Sequence, residues 1–141
     1  MKYKLETLAD TQRLAWDVAE QTGPGNLLVL SGPLGAGKTT FTQQLGVALK
    51  SKANISSPTY TLIHEYPTPQ GTLVHIDAYR LDSTDALFEF GLDDYLDRAR
   101  LVVVEWGEGL LEHFPDALHI HLNLEQDTRT AALNRPLTPD P

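Results

Sequence analysis

The stretch LLVLSGPLGAGKTTF, Leu27 to Phe41, decides the fold. It opens on a continuous apolar run, the pattern of a strand buried on both faces of a parallel sheet. Gly32 to Thr39 then fit G-x-x-x-x-G-K-[ST] at every fixed position. A helical pattern follows, with Phe41, Leu45, Ala48 and Leu49 as its apolar stripe. Strand, glycine turn and helix in that order mark a phosphate cradle and not an incidental turn.

Each residue type in the cradle has a physical reason. Glycine admits the backbone angles that turn successive N–H groups inward, so a concave nest for phosphate oxygens forms. The start of the helix adds its positive dipole end. Gly32, Pro33, Leu34, Gly35, Ala36 and Gly37 are therefore expected to bind nucleotide, with Lys38, Thr39 and Thr40 beside them. Lys38 is expected to reach the β- and γ-phosphates and the Thr39 hydroxyl to ligate Mg2+.

Such a site needs a second carboxylate at the end of a neighbouring strand to hold the metal. Glu105 ends LVVVE, and Asp77 ends LVHID, a less apolar run broken by His75. Buried-strand character favours Glu105 as the magnesium acid and leaves Asp77 to position the attacking water or assist the metal. Plainer readings stay open: Asp77 caps the following segment or pairs with Arg80, and Glu105 is a strand-end surface acid. Trp106, directly after Glu105, suits either the core or the site. Of His64, His75, His119 and His121, only the last two form a same-face pair, and they read as solvated strand histidines.

Composition bounds the rest. The chain has 141 residues, ordinary for one domain with a real core. It has no cysteine, which excludes disulfides and thiolate metal sites. No apolar run approaches the roughly 20 residues that span a bilayer, and no secretory signal is expected at the start. Eleven basic against 19 acidic residues give a net charge of −8, with Lys and Arg scattered. Nucleic-acid binders gain affinity by neutralising phosphates, so any RNA in its biology is expected to be held by a partner.

Outward from the cradle, TLADTQRLAWDVAEQT reads as an opening helix with a Thr7–Asp10 capping box. TYTLIHEY and GTLVHID, joined by PTPQG, predict an antiparallel hairpin. DSTDALFEFGLDDYLDRA reads as helical and acidic, either a core face with a solvated face or a surface for partner docking. RLVVVEW is a second buried strand, EGLLEHF a short helix stopped by Pro115, and ALHIHLNL an alternating strand. The expected class is α/β: a single P-loop domain over 1–128 with a mostly parallel central sheet, an antiparallel hairpin and flanking helices. Residues 129–141, ending in the proline-rich NRPLTPDP, are expected to form a short, partly disordered tail.

GPLGAGKTT, SSPTYTL, HIDAYRL and VVVEWGE, in this order, resemble the TsaE family over roughly Leu5 to Leu124. That resemblance implies a cytoplasmic ATPase that binds ATP and Mg2+ and works with the TsaB and TsaD proteins. Those partners install threonylcarbamoyl on the adenosine beside the anticodon. ATP hydrolysis is implied to support turnover of the assembly and not the transfer itself, with tRNA touched only indirectly. Lys38 and Thr39 take the P-loop roles, Glu105 binds metal, Asp77 serves hydrolysis, Thr59 lies in a switch-like segment, and Trp106 becomes a site residue. Arg129 and the residues around Leu8 to Thr11 are placed near the base.

Three rivals remain at this level. A small P-loop kinase normally closes an arginine-rich lid, whereas Asp82 to Asp97 holds six acids and no Lys or Arg. A GTP switch reads guanine with N-K-x-D, which is absent here. A nucleotide-gated interaction module with negligible turnover fits the same residues. No obvious arginine finger is present in cis, Arg80 being the nearest candidate, so slow hydrolysis by the isolated chain is expected.

Overall fold

The computed structural model describes residues 1–33, 35–52, 63–79, 81 and 83–137. Leu34, Thr59, Arg80 and Asp82 lie outside the described residues. The chain begins with strand β1 (Lys2–Leu5) and helix α1 (Leu8–Gln21), followed by β2 (Leu27–Ser31) and α2 (Lys38–Ala48). β3 (Ile63–Thr68) and β4 (Gly71–Asp77) come next, then short helices α3 (Ala86–Glu89) and α4 (Leu92–Arg98). β5 (Leu101–Glu105), a 3-10 turn over Glu108–Glu112, β6 (Leu118–Glu125) and β7 (Thr128–Leu133) complete it.

The seven strands form one sheet in the order β1-β7-β6-β2-β5-β4-β3. β2 pairs parallel with β5 and β6, and β4 pairs parallel with β5. The outer pairs, β3–β4, β6–β7 and β1–β7, are antiparallel. The parallel centre and the β3–β4 hairpin are as expected. Pro67 sits on β3, the sheet's edge, where its missing N–H breaks no interior ladder.

One boundary needs correction. Residues 129–133 are not tail but most of β7, which pairs with β6 on one side and β1 on the other. The β6–β7 turn places Gln126 and Asp127 at φ 49° and 66°, as a tight two-residue hairpin requires. Neither is glycine, which hides the turn from sequence.

β2 and β5 are buried along their whole length, as their apolar runs predict. One apolar cluster joins Leu14, Ala15 and Val18 of α1 and Phe41 and Leu45 of α2 to Leu28, Leu30 and Val103. The opposite cluster joins Leu87, Leu92 and Leu96 to Val29, Val102 and Val104. A fully buried leucine contributes about 1.5–3 kcal/mol relative to exposure, so these leucines anchor α3 and α4 to the sheet. Glu89, Asp93, Asp94 and Asp97 face outward, which is the core-face and solvated-face reading.

Local signals position α1. Thr7 Oγ1 accepts from the Asp10 N–H at 3.3 Å while Asp10 Oδ2 accepts from the Thr7 N–H at 3.0 Å. Arg100 ties the far end of this layer together. Its Nη2 donates to the Ala19 carbonyl at 2.7 Å and its Nε to Gln70 at 3.0 Å, and burial lowers its pKa.

Candidate functional site

The C-terminal ends of β2, β4 and β5 open onto one cleft of about 470 Å³. Pro33, Gly35, Gly37, Lys38, Thr39, Thr40, Asp77, Glu105 and Trp106 all line it. The residues predicted from separate stretches therefore meet. Thr59 and Leu34 fall outside the described residues.

Glycine is required at the cradle. Gly32, Gly35 and Gly37 have φ of 136°, 83° and 104°, a region that costs a residue with a Cβ. At Gly32 an added Cβ would also strike the carbonyl oxygen of Leu122 on β6. The turn thus presses directly against the neighbouring strand. Lys38 begins α2 and is almost buried, donating through Nζ to the Gly32 carbonyl. The same ammonium lies 4.4 Å from the centroid of the Trp106 ring, within cation–π range.

The two acids are adjacent but differ in setting. Asp77 and Glu105 are register partners on β4 and β5. Glu105 is only 4% exposed, so it is not a surface acid. Its Oε2 lies 2.5 Å from Nε2 of His75, which is fully buried. Asp77 is half-buried, and its Oδ1 accepts from the Tyr79 N–H at 2.9 Å. Capping the following segment and facing the cleft are therefore compatible.

Trp106 lines the cleft. Its φ of 62° is an outlier for a bulky residue, and such strain, costing about 1–3 kcal/mol, gathers at functional positions. Its ring packs against Tyr79 at 5.1 Å between centroids, and Tyr79 is itself 66% exposed.

A second cleft, of about 480 Å³, adjoins the first and shares Thr40 and Arg129 with it. Leu5, Thr7, Leu8, Thr11 and Leu124 line its sides. Arg129 comes from β7, and a Cβ at Gly37 would lie 3.5 Å from its Cδ. The arginine thus borders both the cleft at the glycine turn and the neighbouring hollow.

Beneath the cradle, Ser31 Oγ bonds His119 Nε2 and His121 Nδ1, each at 2.8 Å. These histidines are thus not merely solvated. Burial lowers the His119 pKa, with Glu108 opposing and His121 adding to the shift. Sequence reasoning missed this triplet and also treated His75 as a break. The available signal for His75 was its two-residue spacing from Asp77, which puts both on one face of β4.

The family model described as "Threonylcarbamoyl adenosine biosynthesis protein TsaE" matches residues 5–134. The chain belongs to the TsaE family. It is 41% identical over 140 residues to the tRNA threonylcarbamoyladenosine biosynthesis protein TsaE of Mycobacterium tuberculosis, covering 90% of this chain and 82% of that one. The protein of the same name from Aquifex aeolicus is 40% identical over 106 residues, 74% of each chain. A crystal structure of YdiB from Bacillus subtilis superposes with a TM-score of 0.72 at 31% identity, covering 94% of this chain and 83% of that one. The TsaE match runs to residue 134 and so includes β7 and Arg129. No helix among the described residues is long and apolar enough to cross a membrane.

Proposed function

We propose that this chain is the ATP-binding and ATP-hydrolysing component of the tRNA threonylcarbamoyladenosine machinery. It works in the cytoplasm with TsaB and TsaD proteins, supports their turnover, and does not itself transfer the threonylcarbamoyl group. The observation that carries this is the meeting, in a TsaE-family chain, of the Lys38 cradle with Asp77 and Glu105 at one cleft.

The residues fit a magnesium nucleotide. The cradle's glycines hold positive φ angles that suit a backbone nest for phosphate, and Lys38 supplies the positive charge. Thr39 and Glu105 form an all-oxygen donor set suited to Mg2+. When bound, the ion would neutralise charge on the phosphate oxygens. The backbone N–H groups of Gly35 and Gly37 orient the phosphates, and Lys38 exchanges its Gly32 and Trp106 contacts for phosphate oxygens. Asp77 accepts a proton from, or orients, the attacking water. Arg129 and the hollow at Leu5, Leu8 and Thr11 take the ribose and base side of the nucleotide.

The acidic segment at Asp85 to Asp97 is packed as α3 and α4 through Leu87, Leu92 and Leu96, which disfavours a kinase lid. With tRNA held by the partners, the net charge of −8 is no obstacle. Calorimetric titration with ATP and GTP, with and without Mg2+, tests the nucleotide reading. ATP is expected to bind better than GTP, and turnover by the isolated chain to be slow and raised by TsaB and TsaD. Preference for GTP, or fast turnover alone, would reject it.

A further inference from the structure

We infer that His75 is a positioning residue that fixes the Glu105 carboxylate, an assignment that rests on the magnesium reading above. His75 Nε2 and Glu105 Oε2 are 2.5 Å apart, with side-chain exposures of 0% and 5%. An ionised carboxylate only accepts, so the ring nitrogen facing it carries the hydrogen. The other nitrogen, Nδ1, is buried with no partner among the described residues. Retaining a ring with one unmet nitrogen between Val74 and Ile76 is poor packing practice, since buried polar atoms are nearly always satisfied. The bond to Glu105 gives the ring a purpose.

The sheet makes that bond possible. His75 lies opposite Val103 and Asp77 opposite Glu105, so His75, Asp77 and Glu105 point to the same face. The terminal torsion of a glutamate is intrinsically broad. Holding Oε2 from behind restricts it and leaves Oε1 as the oxygen for the cleft. Carboxylates that serve metals are commonly oriented by such partners.

The test is equilibrium binding of a fluorescent ATP analogue, in EDTA and across a Mg2+ titration, to the full chain and two variants. His75→Leu keeps an apolar side chain of similar size without a donor. His75→Gln places an amide N–H near the position of Nε2. In EDTA the three are expected to agree within about twofold, while His75→Leu needs about tenfold more Mg2+ and His75→Gln recovers most of that loss. Unchanged magnesium dependence in His75→Leu overturns the inference. So does equal weakening with and without Mg2+, or a glutamine variant as poor as leucine. If His75→Leu does not fold, His75→Asn, too short to reach Oε2, is compared with His75→Gln under the same criteria. A wild-type chain whose nucleotide binding ignores Mg2+ overturns the magnesium reading itself, which the variants cannot do.

Discussion

The parallel centre of the sheet and its antiparallel flank meet at the glycine turn, yet they contribute different things. β2 and β5 are apolar up to a polar residue at their C-terminal ends, and β4 is interrupted only by Thr72 near its start and by the buried His75. Where the three strands end, the glycine turn, Asp77 and Glu105 converge. The flank of β6, β7 and β1 alternates in burial and offers a hollow bordered by the exposed Arg129. A strand buried on both faces has nowhere else to put charge, so its end becomes the site. A strand with one open face spreads its polar groups along its length, and only one of them reaches the cleft. The centre should therefore govern binding and chemistry, and the flank should tune them.

That contrast orders the expected losses. Lys38→Ala removes the buried cation of the cradle, and ATP affinity should fall by about 2–3 kcal/mol, roughly a hundredfold. Titration calorimetry checks it, and a loss under threefold would show that the centre does not dominate. Asp77→Ala and Glu105→Ala should each cut turnover by about 10²-fold while weakening ATP binding less than tenfold. Equal loss of binding and turnover would reject their assignment to the chemistry.

Arg129→Ala probes the flank. Loss of one charge-assisted contact should weaken ATP binding about tenfold, with turnover at saturation little changed. A loss as large as that of Lys38→Ala would erase the distinction between the two regions. The smallest effect concerns pH. Burial holds the His119 pKa below its ordinary value of 6.5, so the unfolded chain binds more protons there than the fold does. Stability should then decline as the pH drops through 6.5 towards the lower folded value. Urea unfolding at stepped pH should show this slope in the wild type and a shallower one in His119→Asn; an identical slope would dismiss the shift.

The same contrast explains what the sequence reveals. The centre is legible because burial on both faces leaves uninterrupted runs, LLVL and LVVV, and nest geometry demands glycines and lysine at fixed spacing. The Thr7–Asp10 box is legible because its two bonds are local. β7 is hidden because TRTAAL has no valine, isoleucine or aromatic residue and its turn reaches positive φ at Gln126 and Asp127 without glycine. β1 is four residues long and gains its identity only by pairing with β7. The meeting of His75 with Glu105 spans 30 residues and two strands, so no local pattern carries it. Trp106 reads as either core or site until its backbone conformation and the Lys38 contact are seen.

The central claim is that the Lys38 cradle drives turnover of a tRNA-modifying assembly. Reconstitution with TsaB and TsaD proteins, counting threonylcarbamoyladenosine formed per complex, tests it most directly. The wild-type chain should support many rounds of modification, and Lys38→Ala should stall the assembly near a single round. Equal multiple-turnover yields with wild type, with Lys38→Ala and with no added chain would contradict the account.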